Sequence, residues 1–178
     1  RSRSITVAGV ECLAIRVSFT GDLGWELHCA VSDQVQLYTA LLEAAAAHAG
    51  GPVGGRALGA LRIEKGYGSW GREYSPEYWP QETGLHGLIK LDKDFLNKDA
   101  YLRISNTPPR ETLTMFEVDV TDDADANGGE PIFLADGTPV GRVTSGAYGY
   151  TVGKSLAIGY AREGVVAPGD KVDIYILG

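Results

Sequence analysis

Ten side chains able to grip a flat, polar ligand stand in two stretches of the sequence. Phe19 and Glu26 lie near the start; Arg62, Glu64, Tyr67, Trp70, Arg72, Tyr74, Tyr78 and Trp79 follow further on. Aromatic faces supply apolar contact, and a few charged groups fix orientation, which is the usual lining of a site for a planar ring. Taken singly, each has a plainer reading. A Glu on the polar face of a strand is usually solvated. Arg62 and Glu64 on a helix read as a surface pair, and Trp70 and Trp79 as caps on a core. Other chemistries find less support. His28, His48 and His86 are scattered and no Cys-x-x-Cys is present, so no zinc site is expected. No G-x-G-x-x-G follows a strand, and "G-A-Y-G-Y" and "G-G-P-V-G-G" lack the lysine or the helix that phosphate binding needs. No local signature of an activated serine is present.

The elements that must position these residues follow from periodicity. "E-C-L-A-I-R-V-S-F", residues 11–19, alternates and predicts a strand burying Leu13, Ile15, Val17 and Phe19. "T-G-D-L-G" is a turn, and residues 25–31 resume as a second strand, giving a β-hairpin. With Phe19 opposite Trp25, the apolar face takes Trp25, Leu27, Cys29 and Val31. Cys29 then faces Ile15 rather than Cys12, which argues against a disulfide. Glu26 and His28 share the polar face with Arg16 and Ser18. Ser32 is expected to cap a helix over 33–48, with Val35, Tyr38, Leu41, Leu42 and Ala45 as its apolar stripe and Gly50 and Gly51 as its stop. A second helix is expected over 56–65, with Ala57, Leu58 and Leu61 inward, and a short third around 98–102. Between them, 72–86 is an aromatic, proline-rich loop of the kind that carries function.

"S-N-T-P-P-R", residues 105–110, reads as a linker, because Pro-Pro continues neither helix nor ladder. Beyond it the pattern is β throughout: 112–120, a hairpin around "A-D-G-T", then 155–161 and 171–177. Several short strands at this spacing make a small antiparallel barrel. The acidic stretch 122–130 is expected to be a solvated, mobile loop. The expected architecture is therefore α+β: a mixed domain over 1–104 and a small antiparallel β-barrel over 105–178.

The 178 residues carry 16 Lys+Arg against 23 Asp+Glu, a formal charge of −7. That balance disfavours nonspecific binding to nucleic acid or anionic membranes. No apolar run approaches the ~20 residues of a spanning helix. The start has no apolar signal core and no initiator Met, so the chain is read as part of a longer protein. Cys12 and Cys29 read as reduced core thiols in a cytoplasmic compartment.

Several stretches together resemble one family. "S-F-T-G-D-L-G-W-E-L-H" is similar to the Y-T-G-E-x-G-x-E segment of aminomethyltransferases, the T-proteins of the glycine cleavage system. It is closer to the G-E-L-G-W-E-L of the flavin-linked dimethylglycine and sarcosine dehydrogenases. "A-L-R-I-E-K-G-Y-G-S-W-G-R-E", "P-Q-E-T-G-L", "K-D-F-L-N-K-D-A", "G-R-V-T-S-G" and "A-I-G-Y-A" resemble the family's further motifs, in the family's order. The resemblance implies an incomplete aminomethyltransferase-type folate-binding domain followed by the barrel, and one-carbon transfer to tetrahydrofolate. It places Glu26 on the pterin, whose 2-amino group and N3 offer two adjacent donors that a carboxylate accepts in a fork. It places Tyr67 and Phe19 against the folate ring system, with Trp70 and Arg62 in the same group. Phe19 keeps the stacking of the family's tyrosine without its hydroxyl.

Leu58 stands where T-proteins carry an Arg, which favours the dehydrogenase branch over a glycine cleavage T-protein; a non-catalytic folate-binding or regulatory module is a third reading. The implied partners are folate and a methylated amine, with no nucleic acid and no membrane. A preceding domain is implied, carrying the aspartate that orients the reacting nitrogen and, in the dehydrogenase branch, FAD. Transfer needs a carboxylate to stabilise a cationic intermediate at near-attack distance, and its catalytic residue is not identifiable here. The chain alone is therefore expected to have weak or no transferase activity.

Overall fold

The computed structural model describes residues 1–120 and 124–176. The chain divides into two compact units, Arg1–Lys65 and Gly66–Gly178.

The first unit is a three-stranded antiparallel sheet with two helices. Strand β1 (Ser2–Val7) pairs with β2 (Val10–Ile15), which pairs with β3 (Glu26–His28). Strand β1 was not expected. Its signal is the Ile5/Val7 alternation followed by Ala8-Gly9, both at positive φ (49° and 81°), the conformation that closes a two-residue hairpin. The expected β2–β3 hairpin is present, but its register differs: Leu13 opposes His28, Ala14 opposes Leu27 and Ile15 opposes Glu26. The offset from a Phe19–Trp25 pairing is odd, so the faces exchange. Val10, Cys12 and Ala14 are buried, while Leu13, Val17 and Phe19 are exposed. Glu26 and His28 therefore share a face with Leu13 and Ile15, not with Arg16 and Ser18. On the other side Leu27 and Cys29 do pack inward, but Trp25 and Val31 are exposed.

Helix α1 (Gln34–Ala46) explains the exchange. Its one buried residue, Leu37, packs with Val10 and Cys12, and Ile5, Val7, Leu27 and Cys29 close around them. Both faces of β2 are apolar, so alternation alone could not choose between them. Val35, Tyr38 and Leu41, expected as the helix's buried stripe, are exposed. Ser32 does not cap: its hydroxyl donates to Asp33 Oδ1 (3.0 Å), within a short 3-10 turn at Val31–Asp33. The stop lies where expected, with Gly50 N–H donating to Ala45 O (2.8 Å). Helix α2 (Gly55–Glu64) buries Ala60, Arg62 and Ile63, whereas Ala57 and Leu58 are exposed.

The second unit begins with a loop through 66–97 and helix α3 (Lys98–Ser105), then forms a five-stranded antiparallel sheet. Its strands are β4 (Glu111–Val118), β5 (Pro131–Phe133), β6 (Pro139–Gly149), β7 (Lys154–Arg162) and β8 (Asp173–Ile174), ordered β4-β7-β6-β5-β8. Phe116, Ala126, Ile132, Val140, Val143, Ala157 and Ala161 form the core. The Asp-Gly turn is as expected: Gly137 has φ 81°, Leu134 N–H donates to Thr138 O, and Thr138 N–H donates to Asp136 Oδ1 (2.9 Å). The residues 171–177 contribute only a two-residue strand, and Leu177 lies outside the described residues.

Asp122 and Asp123 of the acidic stretch also lie outside them. The rest of that stretch is solvated at 127–129, as expected, but is pinned to the sheet on either side. Ala126 is fully buried, Asp125 Oδ1 accepts from Ser155 Oγ (2.6 Å), and the Glu130 carboxylate accepts from Asn127 and Gly128 N–H (2.8 Å each). Gly146 explains the close approach: a Cβ there would sit 2.2 Å from Ala126 O. No described helix is long and apolar enough to cross a membrane.

Candidate functional site

Three of the five residues expected at the site, Phe19, Glu26 and Arg62, belong to the first unit, and Tyr67 and Trp70 belong to the second. Glu26 opens β3. Its Oε2 lies 3.1 Å from His28 Nε2, and its side chain is 60% exposed. The alternation of β3 turns Leu27 inward and leaves Glu26 and His28 on the open face of the sheet.

Phe19 sits in the connection between β2 and β3 and is 42% exposed. That connection is shaped locally. Thr20 N–H donates to Ser18 Oγ (3.2 Å), and Gly21, at φ 79°, lies under the Lys65 side chain, whose Cγ and Cδ would be 2.8 Å from a Cβ there. The "T-G-D-L-G" turn is thus seated on the end of the segment that carries Arg62. Arg62 is 5% exposed, which removes the reading of it as a surface charge. Burying a guanidinium is costly unless it is paired, so this position is built rather than incidental.

Tyr67 is 42% exposed and Trp70 is 87% exposed, so Trp70 caps no core. The loop around them is folded tightly. Gly68 N–H donates to Tyr74 Oη (3.1 Å), and Trp70 forms a backbone bridge with Tyr74.

Sequence reasoning missed two glutamates in this loop. Glu73, the last residue of "W-G-R-E", has no exposed surface. Its Oε1 accepts from Thr144 Oγ1 and Ser145 Oγ (2.6 Å each), and its Oε2 accepts from Ser69 N–H (2.7 Å). Its backbone carbonyl accepts from Tyr160 Oη (2.7 Å). This binds "W-G-R-E" to the "T-S" of "G-R-V-T-S-G" and the Tyr of "A-I-G-Y-A", three stretches noted in the sequence only as strings. Thr144 can face the loop because a bulge interrupts the β6–β7 register between Val143 and Ser145.

Glu82, in "P-Q-E-T-G-L", also has no exposed surface. Its Oε1 accepts from Arg110 N–H (3.0 Å) and Nε (2.8 Å), and its Oε2 from Arg110 Nη2 (2.8 Å) and Trp79 N–H (2.8 Å). The Arg110 hydrogen bonds hold the Glu82 carboxyl at about 2, well below its ordinary value. Arg110 lies over the Trp79 ring at 5.0 Å. Tyr78 stacks on Tyr160 at 3.6 Å between centroids, and Arg142 donates to the Tyr78 hydroxyl. Burial pushes both tyrosines up, so both stay protonated at neutral pH. Trp79, Tyr78 and Tyr74, which composition offered as ring-binding candidates, are thus occupied in holding the loop. The only sequence signal for Glu73 and Glu82 was their place inside motif-like stretches.

Comparison with known proteins agrees with this layout. Residues 1–93 match the family model described as the GCVT N-terminal domain, and 112–178 match the glycine cleavage T-protein C-terminal barrel domain. Mouse (Mus musculus) mitochondrial dimethylglycine dehydrogenase is 37% identical over 180 residues, covering 100% of this chain and 20% of that protein. An aminomethyltransferase of Symbiobacterium thermophilum is 33% identical, covering 99% of this chain and 47% of that protein. The crystal structure of glycine cleavage system aminomethyltransferase T from Bartonella henselae superposes with a TM-score of 0.82 at 23% identity, covering 92% of this chain and 45% of that one. The chain thus spans about a fifth of the dehydrogenase and about half of the aminomethyltransferases. With both family models matched in order and the fold shared, the chain belongs to the glycine cleavage T-protein, or aminomethyltransferase, family.

Proposed function

We propose that this chain supplies the folate-holding part of a tetrahydrofolate-dependent one-carbon transfer enzyme of the dimethylglycine and sarcosine dehydrogenase branch. The whole enzyme moves a methylene unit from an N-methyl or aminomethyl group to tetrahydrofolate. One observation carries the reading. Of the four glutamates in the motif stretches, Glu73 and Glu82 are buried and engaged by several donors and Glu64 is half-buried, while Glu26 stands open at the strand edge. Its carboxylate keeps acceptor capacity for the paired donors of a pterin. The exposed faces of Phe19 and Tyr67 suit the same ring system, and Trp70 and Arg62 complete the proposed group. When bound, tetrahydrofolate supplies the nitrogen that accepts the one-carbon unit; this chain's part is to bind and orient it. The flavin of the dehydrogenase branch belongs to a domain ahead of this one, and the methylated amine to the assembled enzyme.

A boundary between a folate-binding domain over 1–104 and a barrel over 105–178 is supported by the two family matches, which end at 93 and resume at 112. The glycine cleavage T-protein reading keeps support from the Symbiobacterium aminomethyltransferase, 33% identical over 99% of this chain. Against it stands Leu58, at the position of that family's Arg. A reducing, cytoplasmic compartment is part of the same proposal, since two cysteines make no disulfide framework.

Calorimetric titration with a stable reduced folate tests the proposal, with a p-aminobenzoyl-glutamate fragment lacking the pterin as control. Saturable binding of the folate alone is expected. The absence of binding would remove the reading.

A further inference from the structure

The β2–β3 register has a chemical consequence of its own. Its last pairs are Ile15 with Glu26, Ala14 with Leu27 and Leu13 with His28. The ladder ends at Leu13–His28, and continuing its register by one residue sets Cys12 opposite Cys29, the first residue past β3. The two share the inward face, where Cys12 forms the small core with Val10 and Leu37, and Cys29 packs against it. Directly opposed residues of an antiparallel pair stand about 4.5 or 5.5 Å apart at Cα. Both values fall inside the ~4.4–6.8 Å that a disulfide spans.

The thiols differ in access. Cys12 is 4% exposed, whereas Cys29 is half-buried. Cys29 also lines a surface groove of about 690 Å³ with Trp25, Val31 and Tyr38. Burial raises the Cys12 thiol, with the nearby Cys29, Glu11 and Asp33 adding to the effect.

We propose that Cys12 and Cys29 form an intrachain dithiol–disulfide site, closed by a peroxide-class oxidant and reopened by thiols, that fastens β2 to β3. Cys29, the accessible member, reacts first. Its thiolate attacks a peroxide oxygen, an S–O bond forms, the O–O bond breaks, and hydroxide leaves and is protonated to water. The Cys12 thiol then attacks that sulfur, passing its proton to the departing oxygen; the S–S bond forms, the S–O bond breaks, and a second water leaves. Two thiols lose two electrons and two protons, and one peroxide becomes two waters. The site brackets the segment that bears Phe19, in the β2–β3 connection, and Glu26, at the start of β3, and it stands whether or not those residues hold folate.

Peptide mapping tests it. The reduced chain is treated with hydrogen peroxide, quenched with iodoacetamide and digested with trypsin. Arg3, Arg16 and Arg56 separate a peptide 4–16 with Cys12 from a peptide 17–56 with Cys29. The expected product is one linked peptide pair, from a monomer lighter by two hydrogens, reversed by dithiothreitol and missing in Cys29→Ser. Full alkylation of both cysteines after peroxide would overturn the proposal. So would Cys29 halted as a sulfinic acid, or a link found only between chains. The wild-type map decides the matter even if Cys29→Ser folds poorly.

Discussion

Four glutamates lie in the motif stretches, and the surroundings of Glu26, Glu73 and Glu82 divide the roles of these three. Glu82 is buried, with both oxygens accepting from Arg110. Its value of about 2 lies below the ordinary 4.5. A carboxyl lowered in the folded state stabilises that state fully above its unfolded value and loses the contribution as pH falls toward the folded one. Glu82→Gln should therefore cost about 3 kcal/mol at neutral pH. The gap between wild type and variant in urea unfolding should close as pH falls from 4.5 toward 2. A gap independent of pH would remove the ion pair as its cause. Glu73→Gln tests the second latch. One carbonyl oxygen cannot accept on both sides, so either the Ser69 N–H or the Thr144 and Ser145 hydroxyls lose their acceptor. A loss of roughly 1–3 kcal/mol is expected, read as a lower melting temperature.

At the scale of elements, the "T-S-G" segment in the middle of β6 depends on glycine. A methyl at Gly146 would lie 2.2 Å from the backbone oxygen of Ala126. Backbone cannot turn aside as a side chain can, so Gly146→Ala should destabilise the sheet by about 1–3 kcal/mol. An unchanged melting temperature would contradict that packing. The second-unit strands were legible because their short apolar runs are bounded by turn residues and their Asp-Gly turn is unambiguous, although β7 is buried on both faces. The first unit was less so. Leu13 and Ile15 on one face of β2 compete with Val10, Cys12 and Ala14 on the other, and α1 settles the choice by seating Leu37 on the smaller residues. Exposed Val35 and Tyr38 misled in the same way. Glu26, Phe19 and Tyr67 could be named from motif resemblance. The buried latches could not be derived, because Glu is ordinarily a surface residue and the donors of Glu73 and Glu82 lie up to 72 positions away.

At the scale of the whole molecule, the chain spans 47% of the Symbiobacterium aminomethyltransferase and 20% of mouse dimethylglycine dehydrogenase. Transfer needs the donor amine, the one-carbon unit and folate held together and shielded from water. The chain alone should therefore convert formaldehyde and tetrahydrofolate in a single turnover no faster than the uncatalysed reaction. Clear acceleration would show that it carries more of the chemistry than proposed. Binding is a separate matter from turnover, and it rests on Glu26.

The most direct measurement is calorimetry of reduced-folate binding to wild type and Glu26→Gln, with Glu82→Gln as the structural control. Losing a charge-assisted fork costs about 1.5–3 kcal/mol, so Glu26→Gln should bind about 10- to 100-fold more weakly at an unchanged melting temperature. Glu82→Gln should lose stability and keep its affinity wherever it remains folded. Equal affinity of wild type and Glu26→Gln would contradict the account.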